Sequence, residues 1–190
     1  MLAHSQGQLL NMNQLANSLG ISAPTVRTYI DLFESTFIIR QLFPYFTNGK
    51  KRLIKSPKVY FRDSGILHAL LGQSSFDGLQ SHPVIGFSFE GFVVEQLLRL
   101  MPTGWQAFFY RTASGTEIDM VLINRQQQKI AVEVKYSLSP QLNKGFWIAY
   151  NELSCKRGYV VYPGKERYSI GKSVSLMPLE TLESIFREGK

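Results

Sequence analysis

Two short apolar runs joined by a polar break limit most strongly what this chain can fold into. They are Ile118-Asp119-Met120-Val121-Leu122-Ile123 and Lys129-Ile130-Ala131-Val132-Glu133-Val134-Lys135, with Asn124 to Gln128 between them. Runs of this kind read as two strands closed by a turn. Side chains along a strand alternate between its faces, so Glu133 and Lys135 point the same way. Pairing the runs brings Asp119 beside them.

Two carboxylates and an ammonium then converge on one spot. Such carboxylates suit Mg²⁺ or Mn²⁺, hard cations that take oxygen ligands. A neighbouring lysine can orient or deprotonate an attacking water and offset phosphate charge. That is the equipment of metal-assisted phosphodiester hydrolysis. The competing reading is the solvated face of an amphipathic hairpin. Against it, Ile118 and Met120 flank Asp119, and Val132 and Val134 flank Glu133, so the charges sit within strongly apolar strands.

A third carboxylate bears on the same question. Gly86 to Met101, stopped by Pro102, reads as a helix. At ~100° per residue, Phe89, Val93, Leu97 and Leu100 share an arc that Val94, Leu98 and Met101 widen. Glu90 falls inside that arc, whereas Glu95, Gln96 and Arg99 fall opposite. A carboxylate facing a core is costly unless paired, protonated or bound to metal. Glu90 is therefore either one half of a buried pair or a member of the Asp119–Glu133 site, and we expect the latter.

Composition sets the outer limits. The chain has 190 residues, 44% hydrophobic and 13% aromatic, which excludes disorder and allows a substantial core plus a smaller module. No apolar run reaches membrane-spanning length and no signal-peptide pattern opens the chain, so a cytoplasmic location without membrane contact is expected. Cys155 is the single cysteine, and His4, His68 and His82 are scattered, so no zinc centre is expected.

The net charge of +7 is unevenly placed. Residues 1–62 hold eight Lys or Arg against Asp31 and Glu34, a net of +6; residues 63–190 hold thirteen basic and twelve acidic residues, a net of +1. Concentrated positive charge on a small module is the usual footprint of polyanion binding. Gln14 to Leu19 reads as a helix closed by Gly20. Ser22 caps a second helix with Pro24 in its first turn. Val26, Tyr29, Ile30 and Phe33 give that helix a core face, with Thr25, Arg27, Thr28 and Asp31 opposite. Phe37 to Leu42 and Lys58 to Phe61 read as strands bracketing Lys50, Lys51 and Arg52. Asp63 caps a helix ending at Gly72, and 73–83 reads as a linker, dividing the chain into 1–72 and 84–190.

These patterns resemble known architectures. Leu15 to Ser22 with Thr25-Val26-Arg27 is similar to a bacterial helix-turn-helix, and the following strands imply a winged helix. In it, Thr25, Arg27, Thr28, Lys50, Lys51, Arg52 and Lys55 would contact DNA. The alternative is a helical packing module with a solvated basic loop.

The order helix, three-stranded meander, helix, strand resembles the PD-(D/E)XK nuclease core. The meander spans 108–111, 117–123 and 130–136, the crossover helix 142–150, and the next strand 159–162. Ile118 stands where the signature has proline. The resemblance implies an α/β chain: a winged helix followed by a restriction-endonuclease-like αβββαβ core. Asp119, Glu133 and Glu90 would ligate Mg²⁺ or Mn²⁺, with Lys135 catalytic. Glu117 would extend the site, and Arg111 would contact phosphate or form a surface ion pair.

Nearly the whole chain resembles the C-terminal region of prokaryotic AAA-type ATPases. The residues that carry this are Leu19-Gly20-Ile21-Ser22, Lys51 to Phe61, Asp63-Ser64-Gly65, Phe89-Glu90, Tyr110-Arg111-Thr112 and Gly115 to Asp119. An ATPase partner, in cis or in trans, is implied. Gly171-Lys172-Ser173 matches only the end of a P-loop, with Glu166 in place of the leading glycine, and reads as a turn. The start of the chain, Met1-Leu2-Ala3-His4, reads as the interior of a helical segment, so a fragment of a longer ATPase is expected. Two non-enzymatic readings stay open: a DNA-sensing module without turnover, and a protein-interaction platform using Tyr45, Phe46 and Trp147.

Overall fold

A computed structural model describes residues 1–46 and 54–188. Among these, seven α-helices and two sheets form a mixed α/β chain with two compact units. The first contains 1–43 and 56–92; the second contains 44–55 and 93 onward.

In the first unit, α1 (Met12–Leu19) and α2 (Ala23–Ser35) are separated by a tight turn. Asn11 accepts the Gln14 N–H at its start, and Gly20 closes it at φ 66°, a left-handed conformation that suits glycine. Ser22 accepts the Thr25 N–H, capping α2 as expected. Val26 and Ile30 are buried, but Tyr29, expected beside them, is 51% exposed. The buried stripe of α2 is thus narrower than its periodicity implied. Strands β1 (Gln8–Leu9), β2 (Ile39–Leu42) and β3 (Lys58–Phe61) form an antiparallel sheet with β3 central. The strand expected from Phe37 starts two residues later, because Phe37 itself is left-handed and ends the α2 turn.

Asp63 caps α3 (Ser64–Leu70). Residues 73–83, expected as a linker, carry a helix of their own, α4 (Phe76–Ser81), capped by Ser75. Helix α5 (Ile85–Leu100) follows, and contacts divide the chain within it, between Phe92 and Val93.

The second unit is built on β4 (Gln106–Arg111), β5 (Glu117–Ile123), β6 (Lys129–Val134), β7 (Arg157–Tyr162) and β8 (Val174–Pro178), adjacent in that order. The first three pair antiparallel; β7 and β8 join in parallel. Helix α6 (Lys144–Glu152), capped by Asn143, makes the crossover from β6 to β7, which a parallel pair requires. Helix α7 (Ser184–Glu188) is the last described element. Phe146, Ala149, Tyr150 and Leu153 pack with Val121, Ala131, Val160 and Leu176 to form the core. The succession α5-β4-β5-β6-α6-β7 follows the order expected from sequence.

The connection from β2 to β3 is expected as a wing, and residues 47–53 of it lie outside the described residues. Its described flanks, 44–46 and 54–55, belong to the second unit. Tyr45 N–H donates to the Phe109 carbonyl at 2.7 Å and Ile54 N–H to the Arg111 carbonyl at 3.2 Å. Both cover the edge of β4, whose backbone groups would otherwise be unpaired. Tyr45 and Trp147, expected as exposed interface aromatics, pack against the core, while Phe46 is 56% exposed.

Candidate metal centre

The pairing of β5 with β6 places Met120 opposite Val132. One residue further, the same register brings Asp119 level with Glu133 at the end of the ladder. Asp119 Oδ2 accepts the backbone N–H of Val134 at 2.9 Å, so β6 itself fixes the carboxylate. Glu133 is 4% exposed, and its Oε1 accepts the Lys135 ammonium at 2.8 Å. Its Oε2 is buried with no hydrogen-bond partner among the described residues.

Two causes act on the Glu133 carboxyl in the same direction. Burial, and then the Asp119 charge, push it up to about 8, while Lys135 and a hydrogen bond with the Asp119 backbone oppose both. A carboxyl held this way is short of positive charge. Asp119, Glu133 and Lys135 are therefore brought together as their spacing implied, on the face that alternation shares with Val121 and Ala131.

Glu90 is placed differently. It lies in the first unit, where its Oε1 accepts the Lys58 ammonium at 3.0 Å and the Tyr60 hydroxyl at 2.6 Å. All three residues are buried. Of the two readings of a core-facing carboxylate, the structure displays the buried pair. Sequence reasoning missed the partners, although Lys58-x-Tyr60 carries the same strand alternation as Glu133-x-Lys135. Lys58 is one of the eight basic residues of 1–62, yet its charge is spent on Glu90 inside the unit. Glu95, expected on a polar face, is 5% exposed and partnered.

The remaining expected positions are also located. Arg111 and Glu117 form a half-exposed ion pair at 3.3 Å. Thr25, Arg27 and Thr28 are exposed on α2, and Lys55 is exposed beside the β4 edge. Lys50, Lys51 and Arg52 lie outside the described residues. His68 bonds Ser88 Oγ at 2.7 Å, and burial lowers its pKa despite Asp63. Burial pushes the Cys155 thiol up to about 12, which leaves it inert.

No cluster of three or more His, Cys, Asp or Glu suited to a metal occurs among the described residues. Two carboxylates nevertheless fit Mg²⁺, which retains several waters. The buried, unpartnered Oε2 of Glu133 is the atom such an ion would satisfy. No helix of the described residues is long and apolar enough to cross a membrane.

Comparisons with known proteins find two family matches, whose boundary falls before α5 rather than within it. Residues 1–77 match the domain of unknown function DUF8612, and residues 85–182 match the domain of unknown function DUF4143. Uncharacterized proteins of Mycobacterium bovis and Mycobacterium tuberculosis are each 35% identical over 182 residues, 96% of this chain. The chain spans 41% of the length of each. Among solved structures, an assembly of Thermococcus gammatolerans McrB AAA+ hexamers with bound McrC covers 86% of this chain and 66% of its own. Its identity is 9% and its TM-score 0.41, too little to assign a fold. The match over more than half of its residues makes this chain a member of the DUF4143 family, a domain family associated with AAA-type ATPases.

Proposed function

We propose that the chain is a DNA-contacting module of an AAA-type ATPase whose second unit is a divalent-cation nuclease-like domain with a PD-(D/E)XK core. The observation that carries this reading is the convergence of Asp119, Glu133 and Lys135, with Glu133 Oε2 buried and unpartnered. The first unit, with its capped α1–turn–α2 and three-stranded sheet, takes the role of a winged helix. The ATPase partner rests on the family's association and on the sequence resemblance.

Asp119 and Glu133 would hold Mg²⁺ or Mn²⁺, which supplies Lewis-acid stabilisation of phosphoryl oxygens and a more acidic water. Val134 N–H keeps Asp119 aimed. Lys135, which donates to Glu133 Oε1, would keep its ammonium beside the site, where it could offset charge on a bound phosphate.

A second reading is a sensing module without turnover. What favours it is that Glu133 already has Lys135 as counter-ion and that no third His, Cys, Asp or Glu joins the pair among the described residues. One assay separates the two: cleavage of plasmid and single-stranded DNA with Mg²⁺ or Mn²⁺ against EDTA, in wild type and Asp119→Ala. Metal-dependent cleavage lost in the variant supports the nuclease. No cleavage of any DNA form by wild type leaves the binding module.

A further inference from the structure

Four cations gather on the second unit away from the carboxylates. Lys156, Arg157, Arg167 and Lys172 line one groove with Gly158, Tyr159, Ser173 and Ser175, and no carboxylate is among the lining residues. The near-neutral balance of residues 63–190 conceals this, since four of its thirteen basic side chains meet here. The groove forms where β7 starts beside the turn that precedes β8. Gly158 N–H donates to the Ser173 carbonyl at 2.8 Å, which fixes that turn and the position of Lys172. The Arg167 guanidinium lies over the Tyr159 ring at 6.0 Å, and Lys156 donates to Gln128 at 3.0 Å, so two of the heads are held in place.

The groove is distinct from the metal centre. Glu133 pairs with Val160, so Tyr159 and its partner Ser175 lie on the opposite face of the sheet. Arg157 is three residues earlier on β7, roughly 10 Å along the strand at about 3.3 Å per residue.

We propose that this groove binds the phosphodiester backbone of a nucleic-acid strand. The Lys156 and Lys172 ammoniums and two serine hydroxyls match non-bridging phosphate oxygens, and the Arg157 and Arg167 guanidiniums, which also have partners within the chain, add positive charge beside them. Apart from Tyr159, itself buried under Arg167, the lining offers no apolar side chain to hold a base or a peptide side chain. A nucleic-acid strand carries one negative charge per nucleotide, so a groove lined by four cations suits its backbone. Gly171-Lys172-Ser173, which lacks the rest of a P-loop, acquires a role as part of this groove. The inference concerns binding only and does not need the metal centre to be active.

The test is fluorescence anisotropy of a labelled single-stranded oligonucleotide, in EDTA, over a salt series. The subjects are the 190-residue chain and its Lys156→Glu/Arg167→Glu/Lys172→Glu variant. All three positions are exposed. The variant is expected to bind at least about tenfold more weakly at low salt, with a salt slope shallower by about two. The corresponding alanine set, expected to show a smaller loss in the same direction, serves if charge reversal disturbs the melting curve. Undiminished affinity in both sets, or no binding by wild type, overturns the proposal. Inorganic phosphate that displaces the strand at equal phosphate concentration overturns the strand as ligand. Because EDTA is present throughout, Asp119→Ala should bind like wild type, and absent cleavage with groove binding intact counts against the nuclease alone.

Discussion

Lys135 and Glu133 form an ion pair of 2.8 Å two residues apart at the end of β6, the carboxylate 5% and the ammonium 33% exposed at their side chains. The geometry makes the lysine a counter-ion whose head still reaches solvent. A cation arriving between Glu133 and Asp119 would take over that neutralising role and release the ammonium toward a phosphate. Lys135→Met should therefore abolish metal-dependent cleavage, by on the order of 10²-fold or more, while metal and DNA affinity stay near wild type. Cleavage by Lys135→Met at the wild-type rate would leave a nuclease but remove this role.

Metal binding is testable without any activity. A ligand that binds only the native state stabilises it by about 2.7 kcal/mol at one hundred times its Kd. Mn²⁺ should therefore raise the melting temperature of wild type by several degrees, and Asp119→Ala should show no rise. An equal rise in the variant would place the ion elsewhere.

Glu133 predicts a pH dependence in EDTA. Its folded pKa, about 8, is above its ordinary 4.5, so between these values the native state binds the extra proton. Stability from this group is fully present below pH 4.5 and declines as pH rises toward 8. Glu133→Gln removes the ionisation and should flatten that decline. A wild type whose stability over this window matches the variant's slope would show that Glu133 ionises normally.

Glu90 predicts a different phenotype. Glu90→Ala strands the Lys58 ammonium in a buried setting and should destabilise the chain by roughly 3–5 kcal/mol. Adding Lys58→Met should recover much of the loss, because the uncompensated charge is gone. Mn²⁺ should stabilise the double variant as it does wild type. Failure of the Mn²⁺ response there would return Glu90 to the metal centre.

The sequence by itself determined the local elements. Apolar alternation located β5 and β6, Asp119, Glu133 and Lys135 share a face because a strand has a period of two, and Asn11, Ser22 and Asp63 each cap a helix. These outcomes depend on neighbours within a few residues, so the chain carries them locally. Tertiary structure decided which partner each buried charge received. Glu90 and Glu133 are alike in sequence, each a carboxylate among apolar residues. Glu90 met Lys58 and Tyr60 because β3 became the central strand of its sheet, with all four of its residues buried. Glu133 met Asp119 and kept an unpartnered oxygen. The flanks of the β2–β3 connection were likewise claimed by an open edge, that of β4, which no local pattern announces. Burial costs a charge the same wherever it lies in the chain, but the compensating group comes from far away in sequence, thirty-two residues away for Glu90. Only the fold brings it within reach.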